Sequence, residues 1–193
     1  MRFTSSKRIV VLAIASLFAA CVPQQTFKGT DVRGVEWGGD FELTAHTGKR
    51  LNASDLRGQA LVLFFGYTHC PDICAPTLVK LVHALRRLEA DAARVQVLFV
   101  TVDPRHDTPA QLAGFVSQFH PSFIGLTGTE SEIAAVAKLY NVPFERDATK
   151  SNQMIHAGNL MVKDTQGRMR LLWRNEIEVD DIVHDLKLLL RQS

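Results

Sequence analysis

Two cysteines separated by three residues are the part of this chain with the clearest chemical potential. Cys70 and Cys74 lie in the run FFGYTHCPDIC, between an apolar segment and a segment with helical spacing of its apolar residues. At positions i and i+4 of one helical turn, two side chains share a face. Two thiolates held side by side can form a disulfide bond or bind a soft metal ion.

A third ligand for such a metal is predicted at His156. Cu(I) favours thiolate and imidazole ligands, and two cysteines alone would give it a coordination number of two. His156 precedes a predicted strand that begins at Asn159, and in thioredoxin-like folds the loop before this strand faces the cysteines. That loop usually holds a cis-proline, whereas this chain has no proline after Pro143. A histidine at this place fits a metal site better than a general disulfide exchanger.

Two polar neighbours of the cysteines are candidates for tuning them. His69 adjoins Cys70, where it competes with His156 as a metal ligand, shifts the pKa of the thiol or is a bystander; the last two roles are favoured, because neighbouring residues at a loop tip seldom point the same way. Asp72 lies between the cysteines, where it either caps the following helix, tunes the thiols or contacts a partner. Four further histidines are on predicted helices or loops and are expected to be surface or satisfied core residues: His83, His106, His120 and His184.

The N-terminal residues resemble a bacterial lipoprotein signal. Three basic residues precede an apolar stretch over residues 9–17, and small residues lead to Cys21. The apolar run ends at Val22, which is short for a membrane span of ~20 residues. We expect residues 1–20 to be removed and lipid to be attached to Cys21, although Phe18 stands where such signals usually carry leucine. An ordinary cleaved signal and an uncleaved short anchor are the alternatives.

Composition and charge limit the classes of function. The 193 residues are 46% hydrophobic, which is enough for one domain with one substantial core. The chain has 22 basic and 20 acidic residues, and the signal segment takes three of the basic ones, so 19 remain. The rest of the chain is therefore nearly neutral, and no basic face for nucleic acid is predicted.

The predicted elements place the cysteines at the junction of a strand and a helix. Continuous apolar runs over residues 60–66 and 95–102 are typical of buried strands, and helical spacing covers residues 76–89. The order is an N-terminal β-hairpin, then βαβαβα, then ββα. This pattern predicts an α/β, thioredoxin-like central sheet with flanking helices over residues 39–193, joined to a membrane-anchored N-terminus by a tether over residues 21–38. A helix N-terminus beside the cysteines lowers the thiol pKa.

Two motifs and the histidine resemble a known family. Residues 65–74 match the signature of the Sco/SenC family, which comprises copper-binding, thioredoxin-like proteins that serve cytochrome c oxidase assembly. Residues 100–109 resemble the second motif of that family. His156 lies eleven residues before Gly167, where the family keeps its copper-ligand histidine. The resemblance extends over residues 39–193.

The resemblance implies that Cys70, Cys74 and His156 hold copper. Ile155 and Ala157 stand where the family usually has an aspartate and a serine or threonine, so polar groups that could orient the histidine are missing. In the second motif, His106 replaces a common arginine. None of these differences removes a ligand.

The implied function is that of a copper chaperone. It would take Cu(I), with Cu(II) as a second state, and deliver it to the dinuclear copper site of cytochrome c oxidase subunit II or to another cuproprotein. Both thiols must first be reduced, so an upstream thiol reductant is implied. The expected location is the bacterial cell envelope, lipid-anchored to a membrane and facing the periplasm.

Three alternatives remain open on the sequence. The main one is an enzyme, a partner-specific thiol-disulfide reductase that keeps the cysteines of the copper-site protein reduced. A peroxidase of the same fold predicts peroxide-dependent sulfenic acid at one cysteine. A purely structural disulfide is the third, but so short a loop constrains the unfolded chain little.

Overall fold

The computed structural model describes residues 26–149 and 153–192, which form an eight-stranded sheet, four α-helices and a separate two-stranded ribbon. The strands of this described part are β1 (Thr30–Asp31), β2 (Glu42–Ala45), β3 (Arg50–Asn52), β4 (Ala60–Gly66), β5 (Val95–Thr101), β6 (Ile124–Thr127), β7 (Phe144–Arg146), β8 (Met154–His156), β9 (Leu160–Lys163) and β10 (Met169–Trp173). The helices are α1 (Cys74–Leu88), α2 (Pro109–Val116), α3 (Glu130–Leu139) and α4 (Val179–Arg191).

The large sheet has the strand order β1-β10-β9-β4-β5-β6-β2-β3. Its centre is parallel, because β4 pairs with β5 and β5 pairs with β6 in the same direction. Strand β9 runs antiparallel to β4, with Phe64 opposite Leu160. The C-terminal end of β4 therefore lies beside the N-terminal end of β9, and this edge of the sheet carries the site described below.

The continuous apolar runs form strands that are buried on both faces. In β4, Ala60, Val62 and Phe64 belong to a core shared with α1, α2 and α4. The alternate residues, Leu61 and Leu63 among them, belong to a second core shared with α3 and β2. Since successive side chains of a strand point to opposite faces, a strand between two cores must be apolar at every position.

The helices differ in how they begin. Both α2 and α3 start with a capping box, in which Thr108 pairs with Gln111 and Thr129 pairs with Glu132. Helix α1 starts after Ile73 without a side-chain cap. Its first N–H groups are thus left for other acceptors, and the predicted capping role of Asp72 is not found.

The predicted fold is confirmed, and two details are corrected. The hairpin β2–β3, the alternating order and the hairpin β9–β10 occur where the sequence predicts them. The predicted tether over residues 21–38 is wrong for residues 26–38, because β1 pairs with β10 at the edge of the sheet. The ribbon β7–β8 was not predicted. Its strands have three residues each, which is too short for an apolar period to show.

A buried carboxylate attaches the N-terminal segment to the domain. Asp185 on α4 is fully buried and accepts hydrogen bonds from the backbone N–H groups of Lys28 (2.7 Å) and Gly29 (2.8 Å). It also accepts one from Nε1 of Trp173 at 2.9 Å. One buried side chain thus satisfies three donors from two distant segments, and this ties the chain down before β1.

No helix within residues 26–149 and 153–192 combines the length and apolar character needed to cross a bilayer. The predicted lipid-attachment residue, Cys21, and the predicted signal segment, residues 1–20, lie outside the described residues.

Asp185→Asn is expected to destabilise the protein. An amide offers one acceptor oxygen in place of two and turns an NH₂ group toward the other donors, so at least one buried N–H loses its partner. The free energy of unfolding should fall by about 1–3 kcal/mol. Urea denaturation measures this change, and Asp181→Asn on the same helix is the control. Equal midpoints for the two variants would contradict this account of Asp185.

Candidate metal centre

The two cysteines lie at the end of the central strand, but they do not share a helical turn. Cys74 is the first residue of α1 and is almost fully buried, whereas Cys70 lies in the preceding loop and is half-buried. The N–H of Cys70 donates to the carbonyl of Tyr67 at 3.2 Å, which turns the chain back toward the helix. Neither cysteine is in a disulfide bond.

His156 completes a group of three donor atoms. Its Nε2 lies 4.0 Å from Sγ of Cys70 and 3.8 Å from Sγ of Cys74. Its Nδ1 lies 3.1 Å from the carbonyl oxygen of Ala157, which can only accept, so Nδ1 carries a proton. Nε2 is then the ring nitrogen that faces the two sulfurs and that could bind a metal ion. All three donor atoms lie within 4.8 Å of one another.

This donor set suits a soft metal ion. Two thiolates and an imidazole are the ligands that Cu(I) and Zn(II) take in proteins, whereas Mg(II) and Ca(II) prefer oxygen. Cys74 closes the group on the protein side, while half-buried Cys70 and His156 form its outer edge. An ion held here would be reachable from solvent on one side.

The two thiols share one proton unequally. The pKa of Cys70 is lowered to about 3, chiefly because the thiol of Cys74 donates to its sulfur. His156 and the backbone of Asp72 and Cys74 add to this effect, and burial opposes it. The pKa of Cys74 is raised, because its thiol donates a hydrogen bond to the sulfur of Cys70 and because it is buried. Cys70 is therefore the thiolate of the free protein, and Cys74 retains its proton.

Gly66 makes room for the sulfur of Cys74. A β-carbon at position 66 would lie 2.7 Å from that sulfur and 2.8 Å from Cε2 of Phe99. Both distances are shorter than van der Waals contact, so any other residue would push the helix start away from the strand. The glycine at the end of the apolar run is the sequence signal for this close approach.

The second sequence motif holds the loop that carries Cys70. Asp107 is fully buried and accepts hydrogen bonds from both the backbone N–H (3.0 Å) and the hydroxyl (2.5 Å) of Thr68. The hydroxyl of Thr101 donates to the same carboxylate at 2.6 Å. Asp107 was not singled out in the sequence. The only signal for it was its place in the run that resembles the second family motif.

The remaining candidates lie outside the group of donor atoms. His69 is exposed, and its Nδ1 is 2.9 Å from the hydroxyl of Thr68, whose proton goes to Asp107. Asp72 is exposed in the loop between the cysteines, where its backbone contributes to the low pKa of Cys70. The edge of the Tyr67 ring meets the His156 ring at 5.7 Å and 84°, a contact that the sequence did not predict.

The four further histidines named from the sequence are also outside this group. His83 is exposed on α1, and His106 lies 2.7 Å from the carboxylate of Asp103. The remaining two are engaged elsewhere: His120 with the hydroxyl of Ser122, and His184 with the carbonyl of Thr26.

Alkylation at pH 5 is expected to distinguish the two thiols. With a pKa of about 3, Cys70 is ionised at this pH and reacts with iodoacetamide, whereas protonated Cys74 does not. Mass spectrometry of the reduced, metal-free protein locates the label. Cys74→Ala removes the main cause of the low pKa, so labelling of Cys70 at pH 5 should slow by at least about tenfold. Equal labelling of both cysteines in the unsubstituted protein would contradict the unequal sharing.

Curated relatives share the sequence of this domain. The chain is 46% identical over 117 residues to the mitochondrial SCO2 homolog of Bos taurus, which is 60% of this chain and 44% of that protein. It is 36% identical over 138 residues to an SCO2-like protein of Rickettsia felis, which is 69% of this chain and 67% of that protein. The chain therefore spans about half the length of the mitochondrial relatives that it matches.

Solved structures share the fold. ScoI of Bradyrhizobium japonicum, a structure with copper bound, is 36% identical and superposes with a TM-score of 0.73 over 80% of this chain and 99% of that chain. The apo Sco1 of Thermus thermophilus is 32% identical, with a TM-score of 0.78 over 87% of this chain and 99% of that chain. The SCO1/SenC family model matches residues 30–191. By sequence and by fold, the chain belongs to the SCO1/SenC family.

Proposed function

We propose that this protein is a copper chaperone that binds one Cu(I) through Cys70, Cys74 and His156. The observation that carries the proposal is the convergence of two sulfurs and one imidazole nitrogen within 4.8 Å. Copper-bound relatives with the same fold, such as ScoI of Bradyrhizobium japonicum, support copper as the ion. Cu(II) is a second state that the imidazole allows.

Binding exchanges a proton for a metal ion. In the free protein, the thiol of Cys74 donates a hydrogen bond to the thiolate of Cys70, so the two sulfurs already lie side by side. Cu(I) replaces this proton, since a metal ligand must be deprotonated. The site is thus arranged before copper arrives, and little ordering is needed on binding.

Release should proceed by ligand exchange from the open side. Cys70 and His156 are half-buried, and Cys74 is almost fully buried. A thiolate of the recipient can therefore displace the two outer ligands first, and Cys74 would leave the ion last. The recipient that we propose is the dinuclear copper site of cytochrome c oxidase subunit II or another cuproprotein. The support for this recipient is membership of a family that serves cytochrome c oxidase assembly.

We further propose that lipid on Cys21 holds the domain close to a bacterial membrane, on its periplasmic side. The lipoprotein-like signal supports this location. Residue 26 already packs against the domain, because its carbonyl accepts a hydrogen bond from His184. Five residues of extended chain reach about 18 Å, so residue 26, where the chain meets the domain, would stay within that distance of the lipid.

A partner-specific thiol-disulfide reductase is the second candidate, and the unequal thiols favour it. The thiolate of Cys70 would attack a disulfide of the partner and expel one partner thiolate. Cys74 would then attack the sulfur of Cys70, and its proton would pass to the second partner thiolate. Two electrons reach the partner, and a Cys70–Cys74 disulfide remains, which an upstream thiol reductant must reduce.

Copper titration tests the chaperone. The reduced chain beginning at residue 22 should bind one Cu(I) against a competing Cu(I) chelator. Cys74→Ser should abolish tight binding, and His156→Ala should weaken it by about tenfold or more, because each removes a ligand. His69→Ala is the matched control, since this neighbouring imidazole lies outside the group. Retained tight binding in Cys74→Ser would exclude the site as described.

Capture of a mixed disulfide tests the reductase. Cys74→Ser removes the thiol that resolves the intermediate, so Cys70 should accumulate as a mixed disulfide with an oxidised dicysteine peptide of the copper-site type. Mass spectrometry without reductant detects the adduct, and Cys70→Ser is the control. If both variants trap the peptide equally, or neither does, Cys70 is not the attacking thiol and this candidate is rejected.

A further inference from the structure

His156 is carried by a ribbon that is separate from the main sheet. Strands β7 and β8 pair only with each other, in antiparallel register, among the strands that the structure describes. An isolated two-stranded ribbon is at best marginally stable in water. Its position therefore depends on the short connection to β9 and on side chains that contact the body of the domain.

The register decides which side chains can make these contacts. Phe144 is opposite His156, and Arg146 is opposite Met154. Directly opposed residues, and residues two apart along a strand, lie on one face of an antiparallel pair. These four side chains therefore share the inner face of the ribbon. The residues between them, Glu145 and Ile155, are exposed, and Arg146 at the end of the inner face is exposed as well.

The charged residue of this inner face contacts a buried carboxylate. Nη2 of Arg146 lies 3.1 Å from Oδ1 of Asp103, whose side chain is only 4% exposed. The other oxygen of Asp103 lies 2.7 Å from Nδ1 of His106. The backbone N–H of Asp103 donates to the hydroxyl of Thr101 at 2.9 Å. Asp103 is thus fixed to the end of β5, and Arg146 attaches the ribbon to it.

An open cavity lies beside the ribbon. A cavity of about 440 Å³ lies between the ribbon, the segment that follows β5 and the start of α3. Asp103 and Arg146 line this cavity, together with Phe144 and Met154 of the ribbon. Since side chains do not fill this space, apolar contact alone leaves room for the ribbon to shift. The ion pair of Arg146 with Asp103 joins the ribbon to the segment after β5.

We infer that Asp103 and Arg146 are positioning residues that hold the ribbon so that Nε2 of His156 meets the two sulfurs. Neither residue touches the metal site, and both act through His156. The inference rests on the proposed copper function, because it describes how the third ligand of that site is held. It also assigns a separate task to each carboxylate of the second motif: Asp107 holds the cysteine loop, and Asp103 holds the histidine ribbon.

The first test does not require copper. In the full chain, purified in detergent and free of metal, Arg146→Gln should speed hydrogen exchange of the ribbon amides at least about tenfold and leave β4 and β5 unchanged. Arg105→Gln is the matched control, because Arg105 lines the same cavity but pairs with Glu130 on α3 and not with the ribbon. Unchanged exchange of the ribbon in Arg146→Gln would overturn the inference, whether or not the protein binds copper.

The second test is a double-mutant cycle on Cu(I) affinity. Arg146→Gln and Asp103→Asn should each weaken binding by about tenfold, the range found when groups that orient a metal ligand are removed. In the His156→Ala background, either change should have less than about twofold effect, because the ligand on which it acts is gone. Arg146→Lys keeps the charge and should restore part of the affinity.

The outcomes separate the two proposals. If the unsubstituted chain binds no copper, the proposed function fails, while faster exchange in Arg146→Gln still supports the attachment of the ribbon. If the chain binds copper but Arg146→Gln behaves like Arg105→Gln, the positioning role is rejected and the proposed function stands. Equal losses with and without His156 would show a general effect on the fold and would also reject the positioning role.

Discussion

The sulfur of Cys74 packs against a backbone that has no side chain at position 66, and the geometry of the whole site depends on this close approach. Because Gly66 ends β4, helix α1 can begin directly over the end of the central strand. The uncapped start of α1 then faces the loop that carries Cys70. The sulfur of Cys70 accepts hydrogen bonds from the backbone of Asp72 and Cys74 and from the thiol of Cys74. A larger residue at position 66 would collide with the sulfur of Cys74 and with the ring of Phe99.

The two halves of the site are held by different kinds of interaction. The cysteines belong to the main sheet, where the ladders of β4 with β5 and β9 and two apolar cores keep the backbone in place. The histidine belongs to a ribbon held by side chains, among them Arg146, over an unfilled cavity. For the proposed copper chaperone, this arrangement would combine two ligands on the main sheet with a third ligand held by side chains.

Prediction from the sequence succeeded where the signal is local and strong. The seven apolar residues of β4 and the seven residues of β5 could only be strands buried on both faces, because helices of the predicted lengths flank them. The motif over residues 65–74 located the cysteines. Prediction from the sequence failed where the pairing of strands depends on distant residues. Strand β1 is two polar residues long, and it exists because β10 offers an open edge and Asp185 holds the preceding backbone.

The sequence by itself determined the α/β order, the cysteine pair and the histidine as ligand candidates, and, through its resemblance to a family, the kind of metal. It determined these features because apolar periodicity and residue chemistry are local properties. Only the tertiary structure decided that the proton is shared unequally between Cys70 and Cys74, since burial and hydrogen-bond direction depend on packing. It also decided which groups hold the ligands. Asp103 and Arg146 are 43 residues apart in the chain, and no local pattern relates two such distant charges.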